Sequence, residues 1–172
     1  MAARIEEAKL TRFSASASQR ETHVHAYQEA FEESRHRVYS LASWMTNHEL
    51  VAEEVAVSTF CRAFAISPDP DAESVDRALI AELRELMPLG SLALQCAPCT
   101  QVLGLRRNIK RAELERAVVQ LPPTERLIFL LHDVERYDRA RIGRLLGLSQ
   151  EESASGLHQA RLRLRELLSA TS

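Results

Sequence analysis

"GRLLGLSQEESASGLHQARLRL", residues 143–164, decides how the C-terminal part of the chain folds. Gly147 stands where a first helix must end through a left-handed residue, a backbone state that glycine adopts without steric cost. Two residues on, Ser149 and Glu152 spell a capping box, in which hydroxyl and carboxylate each satisfy a backbone N–H at the start of a second helix. Helix, glycine turn and capped helix in that order predict a helix-turn-helix, the arrangement that lays its second helix in a DNA major groove. The outward positions of that helix read Ala154, Ser155, Gly156 and Gln159, where a DNA reader usually carries Lys or Arg. Gly156 in mid-helix is expected to cost about 1 kcal/mol relative to alanine.

Working outward, Leu157, Ala160, Leu164 and Leu167 keep an inward apolar stripe on the last helix, and Ser153 falls on the same stripe. Helical signals also cover Asp138 to Leu146, Glu125 to Val134, and Leu114 to Leu121 before Pro122-Pro123. Towards the N-terminus, Tyr27, Phe31, Val38, Leu41 and Met45 fall at helical spacing with one polar gap at Ser34. Asn47 tolerates the left-handed turn that ends this helix, and a second runs from about Glu49 to Phe64. "SPDPDAES", residues 67–74, interrupts the pattern before Val75, Leu79, Leu83 and Leu86 mark a third helix that Pro88 and Gly90 terminate. No segment alternates as strands do, so the fold class is all-α, with two small helical domains, the C-terminal one a helix-turn-helix. The expected organisation is a polar tail over 1–22, loose or frayed, helical domains over 23–87 and 112–172, and a connector over 88–111. The two bundles are expected to pack separately.

Composition narrows the function classes. The chain has 172 residues, 45% of them apolar, so real cores are available, and its net charge is −2. With a pI of about 6.3 there is no global attraction to phosphate, and any contact with DNA must be local. Lysine occurs only at Lys9 and Lys110, so the cations are almost all the planar, forked kind. No apolar run is long enough to span a bilayer and the polar N-terminus lacks a signal-peptide core, which reads as a cytoplasmic chain without membrane insertion. Three cysteines argue against a disulfide framework. Cys96-Ala-Pro-Cys99 has redox or zinc spacing, but no second pair, nearby histidine or thioredoxin-like pattern accompanies it, so no metal or cofactor is expected. No nucleophile stands beside a base and no Gly-rich phosphate loop occurs, so an enzyme is not expected. His132 and His158 read as surface or boundary residues.

Residues 112–168 are similar, without a gap, to the fourth region of bacterial RNA polymerase sigma factors of the extracytoplasmic-function branch. The matching text is "LERAVVQLPPTERLIFLLHDVERYDRARIGRLLGLS" and "LHQARLRLRELL". Residues 27–64 resemble the second region of the same family through "VYSLA" and "AEEVAVSTFCRAF". The resemblance implies that the second-region hairpin docks on the clamp of the polymerase core. Its docking surface would fall on Glu53, Glu54, Val57, Ser58 and Arg62. It also implies that the helix-turn-helix reads the minus-thirty-five promoter element, with an anti-sigma protein as a further candidate partner. Cations suited to phosphates are Arg136, Arg139, Arg141 and Arg144 on the first helix and its approach, and Arg161, Arg163 and Arg165 further on. Ser153, Ser155, His158 and Gln159 are candidates for base edges.

The departures from the family are specific. Val57 and Ser58 stand where the family usually has a polar amide and an acid. No aromatic residue occurs between Phe64 and Phe129, whereas the family captures the melted minus-ten strand on aromatic rings. Stacking contributes roughly 1–3 kcal/mol per base, so strand capture should be weakened. Glu151 and Glu152 suit the helix dipole but repel DNA. The expectation is a divergent sigma factor. The alternative is a sigma-like adaptor or decoy that binds polymerase or an anti-sigma protein without opening promoters. An ordinary repressor would read half-sites as a symmetric dimer, and no dedicated dimerisation helix is present in the sequence.

Overall fold

Apolar residues at three- and four-residue spacing fold as helices, and every regular element among the described residues is helical. The computed structural model describes residues 2–90, 92 and 110–170, with the backbone alone for 2–20 and 170. Three helices form the N-terminal half: α1 (Ala2–Thr46), α2 (Glu49–Ile66) and α3 (Ala72–Leu86). The backbone of α1 is helical from Ala2 onward, through the segment expected to be a tail. Asn47 ends α1 with φ of 52°, as its tolerance for the left-handed region predicts. His48 then caps α2, its ring Nδ1 accepting from the Val51 N–H at 3.4 Å, and Asp71 caps α3 by accepting from the Ser74 N–H at 2.7 Å. Ser34, the polar gap in the α1 pattern, is buried, and its hydroxyl accepts from Arg37 at 3.2 Å.

The C-terminal half holds α4 (Arg111–Val119), α5 (Pro123–Phe129), α6 (Arg139–Leu146) and α7 (Gln150–Ala170). The helix expected over Glu125 to Val134 is interrupted. After Phe129 the chain widens into a π-helical turn over Leu130–Val134, closed by a Glu135 N–H bond to the Leu130 carbonyl at 3.0 Å. A Tyr137 N–H bond to the Leu131 carbonyl at 2.9 Å comes next, and Arg136 takes a φ of 63°. The wide turn keeps both Leu130 and Leu131 in the core while redirecting the chain towards α6.

Within the N-terminal half, Val38, Leu41, Met45, Leu79 and Leu83 close the core between α1, α2 and α3. Within the C-terminal half, α7 packs on α4, α5 and α6 through Leu157, Ala160 and Leu164 against residues such as Ile128 and Ile142. The expectation of separately packed bundles is corrected here. The buried side chains form one contiguous cluster, because α1 meets α4 and α5, and α3 meets α6. Polar bonds reinforce that seam. Arg126 donates to the Met45 carbonyl at the end of α1 at 2.9 Å, and Arg84 on α3 donates to the Leu146 carbonyl at the end of α6 at 2.8 Å. Both guanidinium groups supply cations where helix C-termini leave carbonyls unsatisfied.

Candidate nucleic-acid and partner interfaces

The helix-turn-helix is built by the local chemistry its sequence announces. Gly147 leaves α6 with φ of 70°. The capping box forms in full, the Glu152 carboxylate accepting from the Ser149 N–H at 2.7 Å and the Ser149 hydroxyl from the Glu152 N–H at 3.1 Å. These bonds hold the Glu152 carboxyl below its ordinary range. Asp138 caps α6 by accepting from the Arg141 N–H at 2.8 Å, and that bond likewise lowers its carboxyl. Both helix starts are thus supplied with negative charge from within the chain.

The candidate DNA contacts separate into two groups. Arg136, Arg139, Arg144 and Arg165 are exposed, and among the described residues none of them forms an ion pair. His158 is exposed beside them, while Ser155 and Gln159 are half-buried. The other arginines are engaged. Arg161 reaches both oxygens of Asp133, with Nε at 3.0 Å, and this pairing lowers the Asp133 carboxyl. Arg163 lies 3.2 Å from Glu125, whose side chain is only 2% exposed. Burial pushes that carboxyl up, with Arg163 opposing the rise. Arg141 is bound to Asp76 at 2.7 Å and lies over the Tyr137 ring at 3.9 Å.

Two residues of α7 are placed differently from a base-reading role. Ser153 is fully buried, so it is corrected from a base-edge candidate to a core position. It lies on the stripe of Leu157 and Ala160, and its hydroxyl has no hydrogen-bond partner among the described residues. Gly156, expected on the outer face, is also buried. A Cβ added there would stand 2.7 Å from Ile128 Cδ1 and 2.9 Å from Leu92 Cδ2. The glycine is therefore a notch that lets α5 and Leu92 approach α7, which the expected helix-propensity cost alone does not describe.

On α2, Glu53 and Glu54 are exposed and Ser58 is half-buried. Val57 is 64% exposed, and Leu50, seven residues earlier on the same face, is 69% exposed. Leu50 is absent from the docking residues the resemblance implies, and its seven-residue interval to Val57 is the signal that finds it. Arg62 is not free, for it bonds Glu82 and Glu85 on α3. Asp76 is a buried carboxylate, bound by Arg37, Arg141 and the Tyr137 hydroxyl, that is not among the sequence-predicted site residues. Its signal is a carboxylate at the i, i+3, i+4, i+7 positions otherwise filled by Leu79, Ile80 and Leu83. Among the described residues no group of three or more His, Cys, Asp or Glu side chains could hold a metal. Cys96 and Cys99 lie outside the described residues. No described helix is long and apolar enough to cross a membrane.

The fold and these surfaces define a helix-turn-helix protein with a second helical unit packed against it. Residues 111–164, which run from the start of α4 into α7, match the family model described as Sigma-70, region 4. No curated protein compared with the chain matches it. The match covers 54 of the 172 residues and makes this part of the chain similar to a sigma region 4 domain.

Proposed function

We propose that the chain is a divergent sigma factor of the extracytoplasmic-function type, which binds core RNA polymerase and directs initiation at a set of promoters. The observation that carries this reading is the coincidence of the family match with a fully capped helix-turn-helix flanked by the exposed Arg136, Arg139 and Arg144. The work is non-catalytic and cytoplasmic, with core polymerase and promoter DNA as partners and an anti-sigma protein as a candidate third. On the DNA side, the arginines of the α6 approach hold phosphates and His158, Ser155 and Gln159 face base edges. On the polymerase side, the Glu53, Glu54 and Val57 face of α2, extended by Leu50, meets the clamp. Purified protein added to core polymerase should yield promoter-specific transcripts.

One observation favours a second reading, a sigma-like adaptor that binds polymerase without opening promoters. The residues from α3 to the start of the π-helical turn offer no aromatic ring before Phe129, so exposed bases have nothing to stack on there. Core binding with no open complex would select the adaptor.

A further inference from the structure

Between the end of α1 and one face of α4 lies an open cleft of about 740 Å³ that belongs to neither the DNA-facing nor the polymerase-facing surface proposed above. Its volume falls within the roughly 300–1,000 Å³ of pockets that take small molecules. Trp44, the only tryptophan of the chain, and Val119 supply apolar lining, while Asn47 and Gln120 add carboxamides that both donate and accept. Arg111, Arg116 and Glu115 supply its charge. Arg111 binds Glu115 through Nε at 2.7 Å, and Arg116 donates from Nε to the Ala112 carbonyl at 3.1 Å, so both side chains are held in place. The terminal nitrogens of both guanidinium groups have no partner among the described residues.

The surroundings of the cleft favour an anion. The end of a helix ordinarily turns unsatisfied carbonyls, the negative end of its dipole, towards such a space. Here those carbonyls are occupied: Ser43 accepts from the Asn47 N–H at 2.9 Å, and Arg126 donates to Trp44 at 3.4 Å and to Met45 at 2.9 Å. Arg126 donates only to backbone carbonyls, those of Val119 and Leu121 included, so no carboxylate among the described residues is bound to it. Three arginines thus stand with one carboxylate around an indole. We infer that the cleft binds a free nucleoside monophosphate, its base stacked on Trp44 with an edge towards Asn47 and Gln120, and its phosphate held by the terminal nitrogens of Arg111 and Arg116. Every base offers a π-face to an aromatic ring, and a forked guanidinium matches a phosphate with parallel bonds. An inorganic anion would leave the indole uncovered and an uncharged ring would leave the arginines unmet, so neither half of the ligand suffices.

The single tryptophan lets the cleft report on itself. Adenosine monophosphate (AMP) titrated into the full chain at low salt should quench Trp44 emission to saturation, with calorimetry reading the same dissociation constant. Adenosine and inorganic phosphate, each alone, should bind at least about tenfold more weakly. An Arg111→Ala/Arg116→Ala double variant, at two exposed positions, should weaken AMP about tenfold and leave adenosine unchanged, a split that a loss of fold would not produce. Trp44→Phe, read by calorimetry, should weaken AMP and adenosine by the same factor. The absence of saturable quenching below about 1 mM AMP overturns the inference. So does an unchanged AMP affinity in the double variant. Inorganic phosphate binding as tightly as AMP would make the cleft a site for an adventitious ion only and has the same consequence. A short single-stranded oligonucleotide that binds over about tenfold more tightly than AMP would assign the cleft to nucleic acid and overturn the free nucleotide.

Discussion

Inside each half, helices meet through Leu, Ile and Val side chains that are almost completely buried; where the halves meet, the same apolar cluster continues and is reinforced by bonds from Arg126, Arg84, Arg141 and Tyr137, the last two to Asp76. The two kinds of contact answer to different physics. Apolar burial is non-directional and scales with area, so an interior resists any motion that exposes it. Hydrogen bonds and ion pairs exchange readily with water or another anion, and their net contribution is small against their strength in isolation. The polar bonds therefore set the register in which the two sets of helices meet, while the continuous apolar cluster holds them together.

The largest effect is expected from emptying an interior position. Leu79→Ala, at a site 1% exposed, should lower stability by about 2–5 kcal/mol in urea denaturation, and a smaller loss would mean the core relaxes around it. Next is the centre of the seam. Asp76→Ala leaves Arg37, Arg141 and the Tyr137 hydroxyl without their carboxylate and should cost about 3 kcal/mol, because the partners remain partly buried. Gly156→Ala probes the notch on α7. The added methyl must displace Ile128 or Leu92, and a loss of about 1–3 kcal/mol is expected where an exposed helical glycine would gain from the change.

Smaller effects belong to the surface. Asp133→Asn removes the partner of Arg161 and should cost up to about 1 kcal/mol at neutral pH. Because Arg161 depresses the folded-state carboxyl, that contribution is present above the ordinary carboxylate range and fades as pH falls through the folded value. Thermal melts of wild type and variant should therefore converge in acid, and a constant gap would assign the effect to packing. The least perturbing change is Arg139→Ala. Stability should stay within about 0.5 kcal/mol of wild type, while the salt dependence of duplex binding loses roughly one phosphate's slope. An unaltered slope would take Arg139 out of the interface.

Much of the fold is legible in the sequence because the decisive signals are local. Gly147, the Ser149–Glu152 pair and Asn47 dictate backbone conformation within a few residues of themselves, and each does in the structure what its chemistry requires. The site is less legible, since exposed and engaged arginines look alike in a sequence. Arg141, Arg161 and Arg163 find carboxylates 65, 28 and 38 residues away, and nothing near them announces those partners. Gly156 reads as an outward position in the sequence, and only the packing of Ile128 and Leu92 against it shows that it is buried. The π-helical turn has no residue signature of its own and arises from what surrounds it.

That turn has a consequence for any attempt to rebuild the chain. One residue more than an α-helical ladder holds is absorbed between Leu130 and Glu135. Each residue of helix rotates the downstream chain by about 100°. Deleting one position there would restore a regular spiral and swing Tyr137 and the helices behind it through more than a quarter revolution, so the phasing of the whole C-terminal reading head is set by a single surplus peptide unit.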